Sequence, residues 1–227
     1  MTPQAVLWDM DGTLIDSEPY WIAAEAELIE SYGGTWTHDD ALQLIGLGLL
    51  ESAEIIRARG VEMEPHDIVD HLTAQVVHRL STMGVPFRPG ARELLFSLRE
   101  AGIPTALVTM SLHRMARTVV DLIDFPAFDL IVGGDDVARP KPFPDPYLQA
   151  ASTLGVDIRD CVTLEDSPNG LRSAVASGAV ALAVENLLPL DGLGAAAVWT
   201  TLDGRTADDI AALHRAHRAP REQETTR

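Results

Sequence analysis

The stretch Ala5–Thr13, AVLWDMDGT, joins a short apolar run to two acids and a glycine. Ala5–Asp9 predicts a buried strand, because a short apolar run closed by charge is typical of strands covered on both faces. Asp9 and Asp11 lie two residues apart on an extended segment. Their carboxylates are therefore expected on the same side, facing the crevice at the end of a parallel strand. Solvated acids at a strand end would give the same pattern, and the rest of the chain decides between these interpretations.

Four further buried runs follow along the chain, each separated from the next by a helical pattern. The predicted strands are Thr105–Thr109, Leu130–Val132, Cys161–Leu164 and Ala179–Val184. The predicted helices are Ala91–Ala101, Ser111–Asp121, Asp145–Leu154 and Pro168–Ser177. This alternation predicts an α/β fold with a Rossmann-like parallel sheet.

Residues 17–86 interrupt this rhythm, because they show helical periodicity and no convincing strand pattern. Glycines separate the pieces, which predicts three or four helices inserted directly after the first strand. The exit from this segment, GVPFRPG at residues 84–90, contains two prolines that suit a stiff hinge. The predicted division is a core of residues 1–16 and 87–227 with a helical insert between them. The polar tail from about Arg215 is expected to fray.

Composition and charge limit the classes of function. Apolar residues make up 46% and charged residues 22% of the chain, as in folded globular proteins. The formal net charge of -17 would repel a phosphate backbone, so nucleic acids and anionic membranes are poor candidates as partners. Cys161 is the only cysteine and is typical of a buried small hydrophobe. Without a signal-peptide pattern or a long apolar stretch, the sequence predicts a soluble cytoplasmic protein, and it does not indicate an oligomeric state.

Two other predicted strands also end in groups that carry chemistry. Thr109, Met110 and Ser111 follow the second strand, where a hydroxyl beside free backbone N–H groups suits an anion, although a plain helix cap would use the same residues. Glu165 and Asp166 follow a later strand, so they are expected to converge on one crevice with the two acids of the first. Carboxylates held together require a cation, and ligand oxygens at strand ends favour Mg²⁺.

Lys141 is the only lysine in the sequence, beside sixteen arginines, and it lies between two prolines. A compact ammonium fits between a carboxylate and a phosphate oxygen better than a planar guanidinium does. Lys141 is therefore predicted to act on an anionic group. Together with Mg²⁺ it would let a strongly acidic chain accept a small phosphorylated substrate.

Four motifs together resemble those of the haloacid dehalogenase superfamily of phosphotransferases: DMDGTLIDSEP at residues 9–19, Thr109, Lys141 and LEDSPNG at residues 164–170. The inserted helices resemble the helical caps of the group that contains β-phosphoglucomutase and many sugar- and polyol-phosphate phosphatases. The resemblance covers the core from Ala5 to about Val184. It implies a central first strand with the Glu165-Asp166 strand beside it, and a mobile α-helical cap that closes over the site.

The same resemblance implies a role for each matching residue. Asp9 would be the nucleophile that forms an aspartyl-phosphate. Asp11 would be the general acid for the leaving alcohol and then the general base for water. Thr109 and Lys141 would bind the transferred phosphoryl group, and Met110 would contribute its backbone N–H.

The ligands of Mg²⁺ are likewise implied by the resemblance. They would be the Asp9 and Asp166 carboxylates and the backbone carbonyl of Asp11, with Glu165 in the outer shell. Mg²⁺ and Lys141 would keep Asp9 ionised for attack, whereas the charges around Asp11 favour its carrying a proton part of the time.

Four functions fit this pattern to different degrees. A phosphomonoester phosphatase acting on a small sugar or polyol phosphate is favoured, and a phosphomutase of the β-phosphoglucomutase type is the alternative. A dehalogenase is disfavoured because that branch lacks an acid at the position of Asp11. A non-catalytic phospho-acceptor domain is disfavoured by the large insert.

The cap offers only candidates for specificity, namely Glu18, Trp21, Leu49 and His71. Trp21 stands where the mutases carry a histidine, and Leu49 stands where they carry an arginine. Neither side chain can hydrogen-bond a second phosphate, so the sequence predicts a phosphatase. A shift of the alignment by a residue or two would bring Arg57 or His71 into play.

Overall fold

The computed structural model describes residues 2–219 and contains one six-stranded parallel sheet. Its strands are β1 (Ala5–Trp8), β2 (Thr105–Val108), β3 (Leu130–Val132), β4 (Cys161–Glu165), β5 (Val180–Val184) and β6 (Ala197–Trp199). The strand order is β3-β2-β1-β4-β5-β6, so β1 lies between β2 and β4. The predicted α/β class and the central position of the first strand are therefore confirmed.

The helices lie between the strands in the predicted order. They are α1 (Glu18–Ser31), α2 (His38–Leu42), α3 (Leu49–Ala58), α4 (Pro65–Met83), α5 (Ala91–Glu100), α6 (His113–Asp121), α7 (Asp145–Leu154), α8 (Pro168–Ser177) and α9 (Ala207–Arg218). The first four fall within the predicted insert and are called the cap below. Among the described residues, no helix has both the length and the apolarity that crossing a membrane requires.

Burial on both faces explains why β1 has no alternating pattern. Val6 and Trp8 belong to one apolar cluster, while Ala5 and Leu7 belong to the cluster on the opposite face, and all four are fully buried. A strand covered by helices on each side is expected to be apolar at every position. The same arrangement leaves only the strand ends for polar chemistry.

The two connections between core and cap run side by side. The Asp16 backbone N–H donates to the Pro86 carbonyl at 2.7 Å, and Ile15 pairs with Phe87 in a short antiparallel bridge. The Arg88 N–H donates to the Leu14 carbonyl at 3.0 Å. The prolines that predicted a stiff hinge thus flank a hydrogen-bonded crossing.

The carboxyl-terminal part differs from the sequence-based expectation. β6 and α9 were not predicted, and α9 extends to Arg218, so the expected fraying from Arg215 is wrong for residues 215–218. A capping box between Thr206 and Asp209 starts this helix, and buried Ile210 anchors it to the core. The remainder of the predicted tail, residues 220–227, lies outside the described residues.

Candidate active site

The carboxyl ends of β1, β2 and β4 meet at one edge of the sheet, where a cavity lies between the core and the cap. The register explains this meeting, because Trp8 pairs with both Leu107 and Leu164 and the residues that follow lie side by side. The predicted residues that line the cavity are Asp9, Asp11, Thr109, Met110, Lys141, Asp166, Glu18, Trp21 and Leu49. Glu165 is fully buried and His71 is half-buried on α4, and neither of them is among the lining residues.

The four residues Asp9, Lys141, Glu165 and Asp166 are together called the floor of the cavity below. Lys141 is the cation among these acids. Its Nζ lies 2.6 Å from Asp9 Oδ1 and 2.7 Å from Glu165 Oε1, and it donates to the Val108 carbonyl at 2.8 Å. These three acceptors match the three N–H donors of an ammonium. Burial alone would lower the pKa of Lys141, but the two carboxylates raise it above its ordinary value. Lys141 therefore stays a cation while it is almost fully enclosed.

Glu165 is held as a counter-ion for this lysine. Its Oε1 also accepts a hydrogen bond from the Tyr147 hydroxyl, and the Tyr147 ring centroid lies 5.1 Å from Lys141 Nζ. A Cβ at position 170 would come within 1.8 Å of Glu165 Oε2, so only glycine fits there. Burial raises the pKa of Glu165, whereas Lys141 and the Tyr147 hydroxyl oppose that shift. The outer position of Glu165 around a metal ion stays a prediction.

Asp11 lies only two residues from Asp9 but has a different environment. Ser17 and Trp21 donate to its Oδ1, the latter at 3.3 Å. Thr109 and Ser111 donate to its Oδ2 at 3.3 and 2.7 Å. None of these four donors is a cation. Since two belong to the cap side and two to the loop after β2, Asp11 joins the two parts of the molecule at the cavity.

Asp166 faces the same cavity from the end of β4. Thr13 donates to its Oδ1 at 3.2 Å and Asn186 donates to its Oδ2 at 2.8 Å. Gly12 has a φ of +86°, and a Cβ there would lie 2.0 Å from Asp166 Oδ2. The glycine therefore gives the backbone its turn and also leaves room for the carboxylate. Burial raises the pKa of Asp166 to about 7, and the charge of Asp9 adds to that effect.

Three buried carboxyl groups at this floor form a candidate metal site. Asp9, Glu165 and Asp166 each offer an oxygen within 4.8 Å of the others. Burial raises the pKa of Asp9 although Lys141 opposes the shift, so a further cation would stabilise the ionised cluster. Asp9 and Asp166 line the cavity whereas Glu165 does not, so the carboxylates of Asp9 and Asp166 are the ones that a cation in the cavity can reach. An all-oxygen donor set fits a hard cation such as Mg²⁺.

The cap sits directly on the core around this cavity. Asn169 Nδ2, in the first turn of α8, donates to the Gly46 carbonyl at 2.8 Å. On another side, Arg114 of α6 forms a 2.6 Å ion pair with Asp70 of α4. The cavity is therefore lined by both parts of the chain, and its wall opposite the strand ends is made by the cap.

A family model for haloacid dehalogenase-like hydrolases matches residues 6–184, which is most of the chain and includes the strand ends described above. The chain is a haloacid dehalogenase-like hydrolase. The resemblance inferred from the four motifs is thereby confirmed.

Relatives of this haloacid dehalogenase-like hydrolase include two enzymes of Escherichia coli K12. Hexitol phosphatase B is 32% identical over 177 residues, covering 76% of this chain and 79% of the relative. Hexitol phosphatase A is 34% identical over 186 residues, covering 81% and 84% respectively. The crystal structure of CbbY from Rhodobacter sphaeroides in complex with phosphate superposes with a TM-score of 0.82 at 27% identity, covering 92% of this chain and 99% of the other.

Several residues of this haloacid dehalogenase-like site were not predicted. Asn186 comes two residues after β5, so the rule that strand ends carry the chemistry would have found it. Glu25 lies seven residues after Glu18, two helical turns further along the same face of α1, and lines the cavity. Ser17 lies within the motif at residues 9–19 but was given no role there, and Tyr147 had no signal of its own, because its partner is set by the packing of α7.

Proposed function

We propose that this hydrolase is a Mg²⁺-dependent phosphatase of small sugar or polyol phosphates, acting through an aspartyl-phosphate on Asp9. The observation that carries the proposal is the hold of Lys141 on Asp9 at the cavity floor, at 2.6 Å. The activity class, hydrolysis of phosphoric monoesters, follows from the family and from phosphatase relatives. The hexitol phosphatases among them favour a polyol or sugar phosphate as substrate.

The first half of the reaction would transfer the phosphoryl group to the enzyme. A carboxylate oxygen of Asp9 forms a bond to phosphorus while the bond from phosphorus to the ester oxygen breaks. The leaving alkoxide takes a proton from the Asp11 carboxyl. The hydroxyl and indole donors around Asp11 support this division of labour, because they fix its side chain without pairing it with a cation.

The second half would release inorganic phosphate. Asp11, now ionised, accepts a proton from a water molecule whose oxygen attacks phosphorus, and the bond to Asp9 breaks. The free carboxylate of Asp9 is restored, and no group is consumed. The two carboxyl groups have different partners for these two roles: Asp9 is bound to the cation Lys141, whereas Asp11 has only hydroxyl and indole donors.

Mg²⁺ would be held by the Asp9 and Asp166 carboxylates and the Asp11 backbone carbonyl. When bound, it neutralises charge on the transferred phosphoryl oxygens and on the attacking carboxylate. Thr109 and the Met110 N–H would orient the phosphoryl group from the loop after β2. Lys141, whose three donors already have acceptors in the protein, would act through its charge and through its hold on Asp9.

The phosphomutase alternative is weaker, because the cap wall offers no partner for a second phosphate at the two expected positions. Trp21, which was expected to offer no hydrogen bond to an anion, does donate through its indole N–H, but to Asp11, and Leu49 contributes an aliphatic surface. Arg57, which a shifted alignment would bring in, pairs with Glu54 and Glu64 and does not line the cavity. The cytoplasmic location and the rejection of nucleic acids and membranes stay predictions.

The test is a product analysis with Mg²⁺ present. Enzyme is screened for inorganic phosphate release from about a hundred phosphate monoesters, with Asp9→Asn as the control for contaminating activity. The wild type is expected to release phosphate and the variant to release essentially none. In a second arm, β-glucose 1-phosphate is incubated with a trace of the 1,6-bisphosphate. Glucose 6-phosphate formed faster than inorganic phosphate would replace the phosphatase by the mutase.

A further inference from the structure

The cap wall of the cavity carries two carboxylates on one helix face. Glu18 stands at the start of α1 and Glu25 two turns later, and both line the cavity. Glu25 is 6% exposed, and its Oε2 accepts a hydrogen bond from Trp36 Nε1 at 3.3 Å. Because an indole fixes one of its oxygens, the Glu25 carboxylate has a defined place in the wall.

None of the basic residues of the cap lines the cavity. Residues 17–86 contain twelve acidic residues and three arginines, and no arginine of the cap lines the cavity. Arg59 lies over the Trp36 ring and forms a 2.7 Å ion pair with Asp40, while Arg79 pairs with Glu27. The third, Arg57, pairs with acids of its own surface. The cap therefore presents carboxylates to the leaving group and keeps its cations outside.

Over residues 2–219, the core supplies no spare cation to this wall either. Within that range, Lys141 is the only basic residue that lines the cavity, and its three donors are engaged by Asp9, Glu165 and Val108. The rest of the cap wall is largely aliphatic, with Leu44, Leu47 and Leu72 among its members. A second anionic group on the substrate would thus lie against like charges and apolar surface.

We propose that Glu18 and Glu25 are specificity-determining residues that accept hydrogen bonds from hydroxyl groups of an uncharged polyol leaving group and reject leaving groups that carry a second anion. This proposal rests on the phosphatase function proposed above and adds which monoesters the site selects. It separates substrates that differ only in the charge at the end remote from the phosphate.

The experiment compares matched pairs of esters of two lengths. Glucitol 6-phosphate is paired with 6-phosphogluconate, and glycerol 3-phosphate with 3-phosphoglycerate, so that a terminal CH₂OH is replaced by a carboxylate in each pair. Because burial raises the pKa of Glu18 to about 8 and that of Glu25 to about 7, the kcat/KM for phosphate release with Mg²⁺ is measured for each ester at pH 9, where both carboxyl groups are ionised. For the wild type, the neutral member of the better pair is expected to exceed its acidic partner by about 100-fold, as expected for a like charge placed in a confined site.

Three variants test whether the charges of the two carboxylates cause that ratio of kcat/KM values. Glu25→Gln and the double variant Glu18→Gln/Glu25→Gln keep hydrogen-bonding side chains but remove charge. The double variant is expected to reduce the ratio to about tenfold or less, through a gain with the acidic ester and a loss with the neutral one. Glu30→Gln removes the same charge from an exposed position on the same helix and is expected to leave the ratio unchanged.

The outcomes separate this proposal from the one on which it rests. Comparable kcat/KM values for the neutral and acidic members of both pairs in the wild type would overturn the role of the cap carboxylates, while phosphatase activity would stand. An unchanged ratio in the double variant would do the same. Absence of phosphate release from every ester, with folded protein and Mg²⁺, would instead overturn the phosphatase function itself.

Discussion

The floor and the cap wall of the cavity differ in whether their acidic residues have a cation beside them. On the floor, the acids Asp9 and Glu165 are balanced by the buried cation Lys141. On the cap wall, Glu18 and Glu25 face the same space from an aliphatic surface without a cation beside them among the lining residues. Burial raises the pKa of Glu18 to about 8 and that of Glu25 to about 7, which marks how little the wall does to stabilise charge.

This difference indicates how the work is divided. The register of parallel strands positions the floor carboxylates Asp9, Glu165 and Asp166, so their placement is set by backbone geometry. The wall residues are positioned by the packing of the cap helices. Changes to the floor should therefore affect every substrate, whereas changes to the wall should affect some substrates more than others.

Lys141→Met should have the largest effect, because it lowers both the stability of the protein and its activity. Two buried carboxylates would lose their shared cation, which costs about 3–5 kcal/mol of the free energy of unfolding. Phosphate release should fall by at least about 10³-fold with every ester, because charge neutralisation at the phosphoryl group is also lost. Chemical denaturation and steady-state kinetics measure the two effects. Arg139→Met, an exposed cation of the same loop, is the control, and equal stability of the two variants would contradict the prediction.

Asp11→Asn and Asp166→Asn should separate chemistry from metal binding on the floor. Asp11→Asn is expected to lower kcat by about 10²–10⁴-fold with a nearly unchanged Mg²⁺ requirement, since the ligand proposed there is a backbone carbonyl. Asp166→Asn should raise the Mg²⁺ concentration needed for half-maximal activity. Titrations of activity with Mg²⁺ decide, and the reverse assignment of phenotypes would refute the proposed roles.

Tyr147→Phe should lower stability and kcat only slightly. The ring that lies near Lys141 stays, but Glu165 loses a hydrogen bond, which costs about 1 kcal/mol of stability. We expect kcat to fall about threefold to tenfold with KM little changed, because Tyr147 acts only through the groups that position Asp9. Tyr20→Phe removes a hydroxyl that bonds weakly to Gly84 at 3.5 Å, and it should leave kcat unaltered. A larger change in KM than in kcat would show that Tyr147 does not act in this way.

Leu49→Ala should have the smallest effect, and it tests the wall. Trimming this half-buried side chain removes about 1 kcal/mol of apolar contact with the leaving group, so KM should rise about fivefold at constant kcat. The rise should be larger for a hexitol phosphate than for a short ester that does not reach the wall. Leu50→Ala, at the exposed neighbouring position, is the matched control. A uniform loss of kcat across esters would mean that wall and floor are not separable.

The sequence predicted the floor far better than the wall, for a physical reason. Strand ends in a parallel sheet converge whatever the loops do, so Asp9, Thr109 and Asp166 could be placed together from their position alone. The wall depends on how α1 to α4 pack on one another, which no local pattern specifies. Glu18, Trp21 and Leu49 were found as candidates, while Glu25 was missed and His71 does not line the cavity.

The unpredicted carboxyl-terminal elements show a related limit. β6 has half-exposed residues and only three positions, too few for a strand pattern to be visible. Its pairing with β5 comes from the sheet edge, which orders a segment with weak local preference. In α9, the capping box was a local signal that could have revealed the helix.

Ile15 and Phe87 pair where the chain enters and leaves the cap, so the cap is attached to the core at one place. The distance that any replacement must span is therefore fixed by that pairing and is independent of the size of what is inserted. Such an attachment makes the cap a module: another helical insert could be grafted between these two residues without altering the strand order beneath. The fold thus lets new substrate preferences be acquired by exchange of a segment while the strand-end carboxylates are kept, and a new segment would have to replace the Ser17 and Trp21 donors to Asp11.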